Sequence, residues 1–359
     1  MVVVAVAALA ILYYVGRHPS KEEREVLTQT EALMKIGKHR EAFTLLNEAI
    51  KGHPQSLPLK RQRVVICLKA DNPEWAFVSY KELLLKSESV AASKQPGKRK
   101  EPEFRKRDPI LVECLADPDP VVRACAAKVL SSVKDDAAVA PLAKALRDSE
   151  TNVRRAAANA LGELRARKAV QPLMASLSDE SWFVRGEAAQ ALGKIGDSQA
   201  IPNLVKLLDE KDSYVRGNAT DALRALVVDD KSRAIFAQAL ASELGADGKK
   251  GSGDQVLIGL LGSPDDKVRR KAIWGLAVCK SPGAVPEIRK LVLEGSTLAD
   301  QCLAALALGT YGDTNNLELL VSILKDTSKP RELRGAAQAS CQEILRQNPD
   351  FKIDPKTAP

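Results

Sequence analysis

Between residues 108 and 348 the apolar positions follow the spacing of an amphipathic helix, and that helix recurs along the chain. A Val-Arg pair marks the copies. Val122-Arg123, Val153-Arg154, Val184-Arg185 and Val215-Arg216 follow one another at 31-residue intervals. The pair returns at Val268-Arg269 and, as Leu333-Arg334, in the last copy; Asp300-Gln301 fills the slot in a degenerate copy. Three residues past the Arg slot stands an alanine in all seven copies: Ala126, Ala157, Ala188, Ala219, Ala272, Ala304 and Ala337. Seven past it stands leucine (Leu130, Leu161, Leu192, Leu223, Leu276, Leu308) or, in the last copy, Cys341. Ten past it stand Val133, Leu164, Ile195, Leu226, Cys279, Tyr311 and Ile344. These offsets share one face of a helix with 3.6 residues per turn. Alanine in the most regular column marks the face on which helices approach most closely.

A shorter helix precedes each marked one. Leu111, Leu142, Leu173, Leu204 and Leu257 occupy one offset of it, and Leu115, Leu146, Leu177, Leu208 and Leu261 stand four residues later. Acidic or polar turns such as Asp117-Pro118-Asp119 and Asp148-Ser149-Glu150 lie between the two helices, where they can cap the orphan amides of the second. No stretch alternates like a β-strand. The fold class expected is all-α: an α-solenoid, or superhelix, of about seven helix pairs over 108–348, each covering its neighbour's apolar face. One interval is 53 residues rather than 31, so an insertion falls near 232–253. It reads as a helical stretch, SRAIFAQALASEL, followed by GADGKKGSG. The glycine-rich part lacks the spacing of a phosphate-binding loop and no strand precedes it, so a mobile loop and possible partner contact is expected there.

The pattern L-x-D-x-x-x-x-V-R-x-x-A-x-x-x-L-G closely resembles the short HEAT repeats of the phycobilin-lyase type. That resemblance implies that Asp117, Asp148, Asp179, Arg123, Arg154, Arg185 and Arg216 bond along the stack as scaffolding. Before the array, over 19–85, Lys35-Ile36-Gly37-Lys38-His39-Arg40-Glu41-Ala42-Phe43 with Leu46, Ala49, Ile50 and Pro54 resembles the second half of a tetratricopeptide repeat. Ala76 stands 34 residues after Ala42, the period of a second, degenerate copy. Val26 and Thr30 stand where the signature of a first helix would have larger and smaller residues. The resemblance implies a peptide- or protein-binding element; a structural cap on the array is the alternative.

The ends and the join are read from composition. Residues 2–15 are uninterrupted apolar, a run of fourteen residues, which as a helix spans about 21 Å against the ~30 Å of a bilayer core. No cationic residue precedes it and no small-residue cleavage site follows. An uncleaved N-terminal anchor over 1–18 is therefore expected, with Tyr13 and Tyr14 at the interface. Arg17, Lys21, Arg24 and Lys35 follow it, which predicts a membrane-anchored, single-pass chain with its bulk in the cytoplasm. A cleaved signal, with a periplasmic or secreted chain, is the alternative. Residues 86–107 carry eight Lys and Arg against three Glu and read as a basic linker. Residues 349–359 form a tail.

Charge narrows the functions. Residues 1–107 hold 20 Lys and Arg against 12 Asp and Glu, whereas 108–350 hold 32 against 33. The array is near neutral, so no nucleic acid is expected on it; contact with nucleic acid or anionic membrane is an alternative for the basic linker alone. The three histidines, His18, His39 and His53, precede the array. The resemblance includes enzymes such as deoxyhypusine hydroxylase, but iron held by His-Glu pairs needs histidines the array lacks. No motif carries over the chromophore contacts of the lyases, which leaves a lyase-like or chromophore-handling protein as the enzyme-class alternative. The six cysteines form no metal or disulfide spacing. No catalytic, cofactor-binding or metal residues are assigned, no cofactor is expected, and the chain is read as not an enzyme. The oligomeric state is open, and the composition has a bacterial look. One feature breaks the repeat: Trp182, Phe183 and Tyr214 precede Val-Arg pairs where other copies carry polar residues. Aromatics concentrate at interface hot spots. These three are the expected contacts with a protein partner, and the chain is read as a protein–protein interaction scaffold.

Overall fold

A computed structural model of the chain describes residues 19–54, 56–84, 109–133, 136–246 and 251–351. Every regular element among them is a helix. The anchor expected over 1–18 and the linker expected over 86–107 lie outside the described residues. The chain divides into two compact units, Met1–Ile195 and Gly196–Pro359.

The first unit opens with two helix pairs, α1 (Lys21–Lys35) with α2 (His39–Gly52) and α3 (Leu57–Lys69) with α4 (Pro73–Leu84). Ser20 and Glu23 close a reciprocal cap on α1, which satisfies amides that the first turn leaves orphaned. Gly37 takes a left-handed φ of 76° in the connection to α2, a conformation open to glycine at little cost. Ala42 and Ala76 are each the fourth residue of the second helix of their pair, and both are fully buried. The 34-residue period is thus a structural period. Repeats follow: α5 (Ile110–Glu113) with α6 (Pro120–Val133), α7 (Val139–Ala145) with α8 (Thr151–Glu163), and α9 (Val170–Ser176) with α10 (Trp182–Ile195). Helices α3 and α4 pack on α6, and Arg61 of α3 bonds Glu113 of α5 at 2.6 Å. The N-terminal pairs therefore continue into the repeats.

The second unit holds α11 (Ile201–Lys206) with α12 (Ser213–Leu226), then α13 (Asp230–Glu243), α14 (Gly253–Leu260) with α15 (Asp266–Cys279), α16 (Val285–Glu294) with α17 (Leu298–Tyr311), and α18 (Leu317–Lys325) with α19 (Arg331–Gln347). Across both units all seven column alanines are fully buried, and the leucine column with Cys341 is equally covered. Second helices pack on second helices within each unit: α6 on α8 and α8 on α10, then α15 on α17 and α17 on α19. Gly162 of α8 and Gly309 of α17 sit at two of these crossings, where a Cβ would meet the Cα of Ala191 at 2.8 Å and of Ser340 at 2.9 Å. Small residues at these two crossings are what the interhelical distance demands.

The helical stretch expected in the insertion is present as α13; of the glycine-rich part expected to be mobile, residues 247–250 lie outside the described residues. Asp229 and Ser232 cap α13, whose face of Phe236, Ala237, Leu240 and Ala241 is buried against α11, α14 and α15. Phe236 meets Trp274 edge-on at 5.6 Å between ring centroids. Gly253, at the end of the glycine-rich run, is there because a Cβ would reach the Gln238 amide nitrogen of α13 at 2.6 Å. The membrane-anchored, cytoplasm-facing placement is overturned. No helix among the described residues is long and apolar enough to cross a membrane. Cys125, one position before the alanine column, is fully buried.

Candidate functional site

The site is built outward from an ionic ladder. In the first unit Arg123 grips Asp148 with two bonds of 2.8 Å. One repeat on, Arg154 grips Asp179 at 2.8 and 3.0 Å and reaches Glu180 at 3.0 Å. Bidentate, charge-assisted bonds of this kind fix geometry as well as energy. The remaining guanidinium nitrogen closes the end of the first helix in the same repeat. Arg123 donates to the carbonyls of Asp117 and Pro118, and Arg154 to those of Asp148 and Ser149. Arg185, Arg216 and Arg269 each make the same pair of carbonyl bonds. The aspartates order the turns: Asp117, Asp148 and Asp179 accept the amides of Asp119, Glu150 and Ser181. The residues that recur most are occupied in holding helix to helix.

The degenerate copy keeps the ladder by another route. Its turn, Gly295-Ser296-Thr297, has no aspartate, yet Arg269 bonds Asp300 at 2.7 Å. Asp300 stands in the slot that holds valine or, in the last copy, leucine, and is fully buried. The carboxylate has moved from the turn onto the helix, 31 residues from its arginine instead of 25.

Burial pushes the Asp148 carboxyl up, but its bonds from Arg123 and the Glu150 amide outweigh that and leave it below its ordinary value of 3.8. A carboxylate lowered on folding contributes stability that is full above the unfolded pKa and is lost as pH falls through the folded one. The melting temperature is therefore expected to fall as pH drops below the ordinary carboxylate range. The gap between wild type and Asp148→Asn should narrow between pH 6 and pH 3, measured by circular dichroism. A constant gap would show that this carboxylate is not linked to folding.

The ladder places the aromatic residues. Asp179, clamped by Arg154, accepts the Ser181 amide, and α10 begins one residue later with Trp182 and Phe183. Both rings stand outside: Trp182 is 38% and Phe183 42% exposed. They stack with centroids 3.5 Å apart and planes at 26°. Arg155 of α8 lies over the Phe183 ring, 5.8 Å from its centroid. A cation over an aromatic face contributes roughly 0.5–1 kcal/mol at an exposed position. The result is a rigid Trp-Phe-Arg plate spanning two repeats of the first unit. Tyr214 stands in the second unit, in the first turn of α12, 38% exposed, its amide capped by Asp212. Sequence reading missed Arg155, which lies 28 residues before Phe183 on the neighbouring helix; only the stacking of α8 on α10 brings them together.

Most of the thiols are poorly placed as nucleophiles. Cys67, Cys114, Cys125, Cys279 and Cys341 are buried, and burial holds the thiols of Cys114, Cys125 and Cys279 at about 12. A thiol so raised supplies almost no thiolate near neutral pH. Among the described residues no three His, Cys, Asp or Glu side chains are grouped to share a metal ion.

Stacked helix pairs with a repeated Asp-Arg ladder define a helical repeat protein. The chain belongs to the HEAT-repeat family: a family model described as HEAT repeats matches residues 103–151, 139–224 and 254–341. No curated protein matches the sequence. Similar solved structures include the complex of CpcE and CpcF of phycocyanin lyase from Nostoc sp. PCC7120, at 23% identity over 71% of this chain and 99% of that one, with a TM-score of 0.35. An engineered protein is similar at 20% identity over 92% of both chains, TM-score 0.41. A designed armadillo repeat protein in complex with the peptide (KR)4 is similar at 22% identity over 56% of this chain and 98% of that one, TM-score 0.37.

Proposed function

We propose that the chain is a non-catalytic scaffold that binds a protein partner through the aromatic edge of the HEAT repeats in its first unit, with Trp182 and Phe183 as the principal contacts and Arg155 beside them; Tyr214, exposed on the second unit, is a separate candidate contact. The observation that carries this reading is the exposed Trp182–Phe183 stack under Arg155. Such a plate costs little side-chain entropy to immobilise, because its rings are already stacked before a partner arrives. Exposed aromatic side chains held at fixed orientation are the commonest anchors of protein interfaces. The buried, raised thiols support a role in binding rather than covalent catalysis. The region 19–84 is read as tetratricopeptide-like pairs that cap the first repeat.

Affinity purification of the full chain identifies the partner. Trp182→Ala is then expected to weaken that partner by about 2 kcal/mol, roughly thirtyfold in Kd, with the helical circular dichroism spectrum unchanged. Unaltered affinity, or loss of helicity in place of affinity, would contradict the reading; so would a pigment or nucleic acid as the only co-purified molecule.

A further inference from the structure

A second surface feature lies away from the aromatic edge, in the N-terminal helix pairs. A cleft of about 680 Å³ opens between α2, α3 and α4. Its apolar floor is Phe43 and Trp75, whose ring centroids are 5.4 Å apart at 31°. Trp75 is 54% exposed, far more than a tryptophan serving only as core. Its backbone amide is capped by Asn72 at 2.9 Å, which fixes the start of α4 and so the position of the ring. Cations predominate around the floor. Arg40, Lys51 and Arg63 line the cleft, against the single carboxylate of Glu48. That carboxylate is already engaged by Lys51 at 2.7 Å. Arg63 is buried, and it donates to Asn47 at 3.1 Å, so its guanidinium is oriented in place.

The volume falls in the range of ligand-binding pockets, and the lining combines an aromatic anchor site with a few placed polar groups. We propose that this cleft binds an acidic linear peptide, inserting an aliphatic or aromatic side chain between Phe43 and Trp75 and setting flanking carboxylates against Arg40 and Arg63. Charge complementarity selects this occupant. The chain's own segment 86–107, with eight Lys and Arg against three Glu, has the same sign as the cleft and is repelled by it. A nucleic acid strand would track a longer run of cations than three with an acid among them. The arginines suit carboxylates because their planar forks match them bidentately. The site is independent of Trp182 and Phe183, and its failure would leave the aromatic-edge reading untouched.

Fluorescence anisotropy on the full chain tests this with three labelled probes: a short peptide of alternating Leu and Glu, the same peptide with Lys for Glu, and an oligouridylate. The Leu-Glu peptide is expected to bind saturably and the other two not to bind. Trp75→Ala and Arg40→Glu, both at exposed positions and both expected to melt like the wild type, should each weaken the Leu-Glu peptide by about tenfold or more. Tighter binding of the Lys peptide or of the oligouridylate would overturn the assignment. So would absence of Leu-Glu binding to the full chain, or undiminished binding by both variants at unchanged melting temperature.

Discussion

Arg154→Ala is expected to destabilise the first unit by about 3–5 kcal/mol, the cost of removing one partner from a buried ion pair. Its guanidinium carries five hydrogen bonds: two to Asp179, one to Glu180 and two to the carbonyls of Asp148 and Ser149. Its side chain is 7% exposed and that of Asp179 11%. Truncation therefore leaves a carboxylate and two helix-end carbonyls without their donor where water reaches them poorly. Urea denaturation followed at 222 nm reads the loss. Arg155→Ala, one residue along but half-buried and outside the ladder, should change stability far less. Replacing Arg154 and Asp179 together by apolar residues of similar size should recover much of the loss, because no unpaired charge remains. Equal midpoints for Arg154→Ala and wild type would show that the ladder does not hold the repeats together.

Gly162→Val should cost at least as much as ordinary overpacking, about 1–3 kcal/mol. A Cβ at this position meets the Ala191 Cα at 2.8 Å and its Cβ at 2.9 Å. Those are backbone and a side chain that cannot rotate away, so α8 and α10 must separate. Gly217→Ala is the control. It also lies within a helix, α12, but has no atom within 4 Å of its prospective Cβ. There the substitution should stabilise by roughly 0.5–1 kcal/mol, the difference in helix propensity. If both substitutions shifted the melting temperature upward, the close crossing of second helices would be wrong.

The repeats were legible because their contacts are periodic. The alanine column survives in all seven copies and the leucine column in six, since each packs against the same column next door, and burial of Ala126 through Ala337 follows from that geometry. A shorter-range column went unread. Single turns of 3-10 helix lead into α7, α9, α11, α16 and α18, each ending in a fully buried residue: Ala138, Ala169, Ala200, Ala284 or Asn316. Small side chains there carry little hydrophobic signal, although Ala138, Ala169 and Ala200 keep the 31-residue interval. The packing role of Gly253 on α13 was not legible, because a glycine at the end of a glycine-rich run gives no sign of a close crossing. The role of Asp300 was not legible because its slot elsewhere holds valine or leucine; only its contact with Arg269 shows that the charge pair persists. Of the candidate site, Trp182, Phe183 and Tyr214 stood out by breaking the pattern. Arg155 and the Phe43–Trp75 cleft did not, since each needs residues from different helices to meet.

The proposed function implies a division of labour, in which repeated residues build the array and unrepeated ones bind. It is tested most directly by measuring partner affinity per folded molecule for Trp182→Ala/Phe183→Ala in the full chain, by biolayer interferometry alongside a thermal melt. An unchanged melting temperature with affinity lowered by roughly a hundredfold is the expected result. Unchanged affinity at an unchanged melting temperature would contradict it.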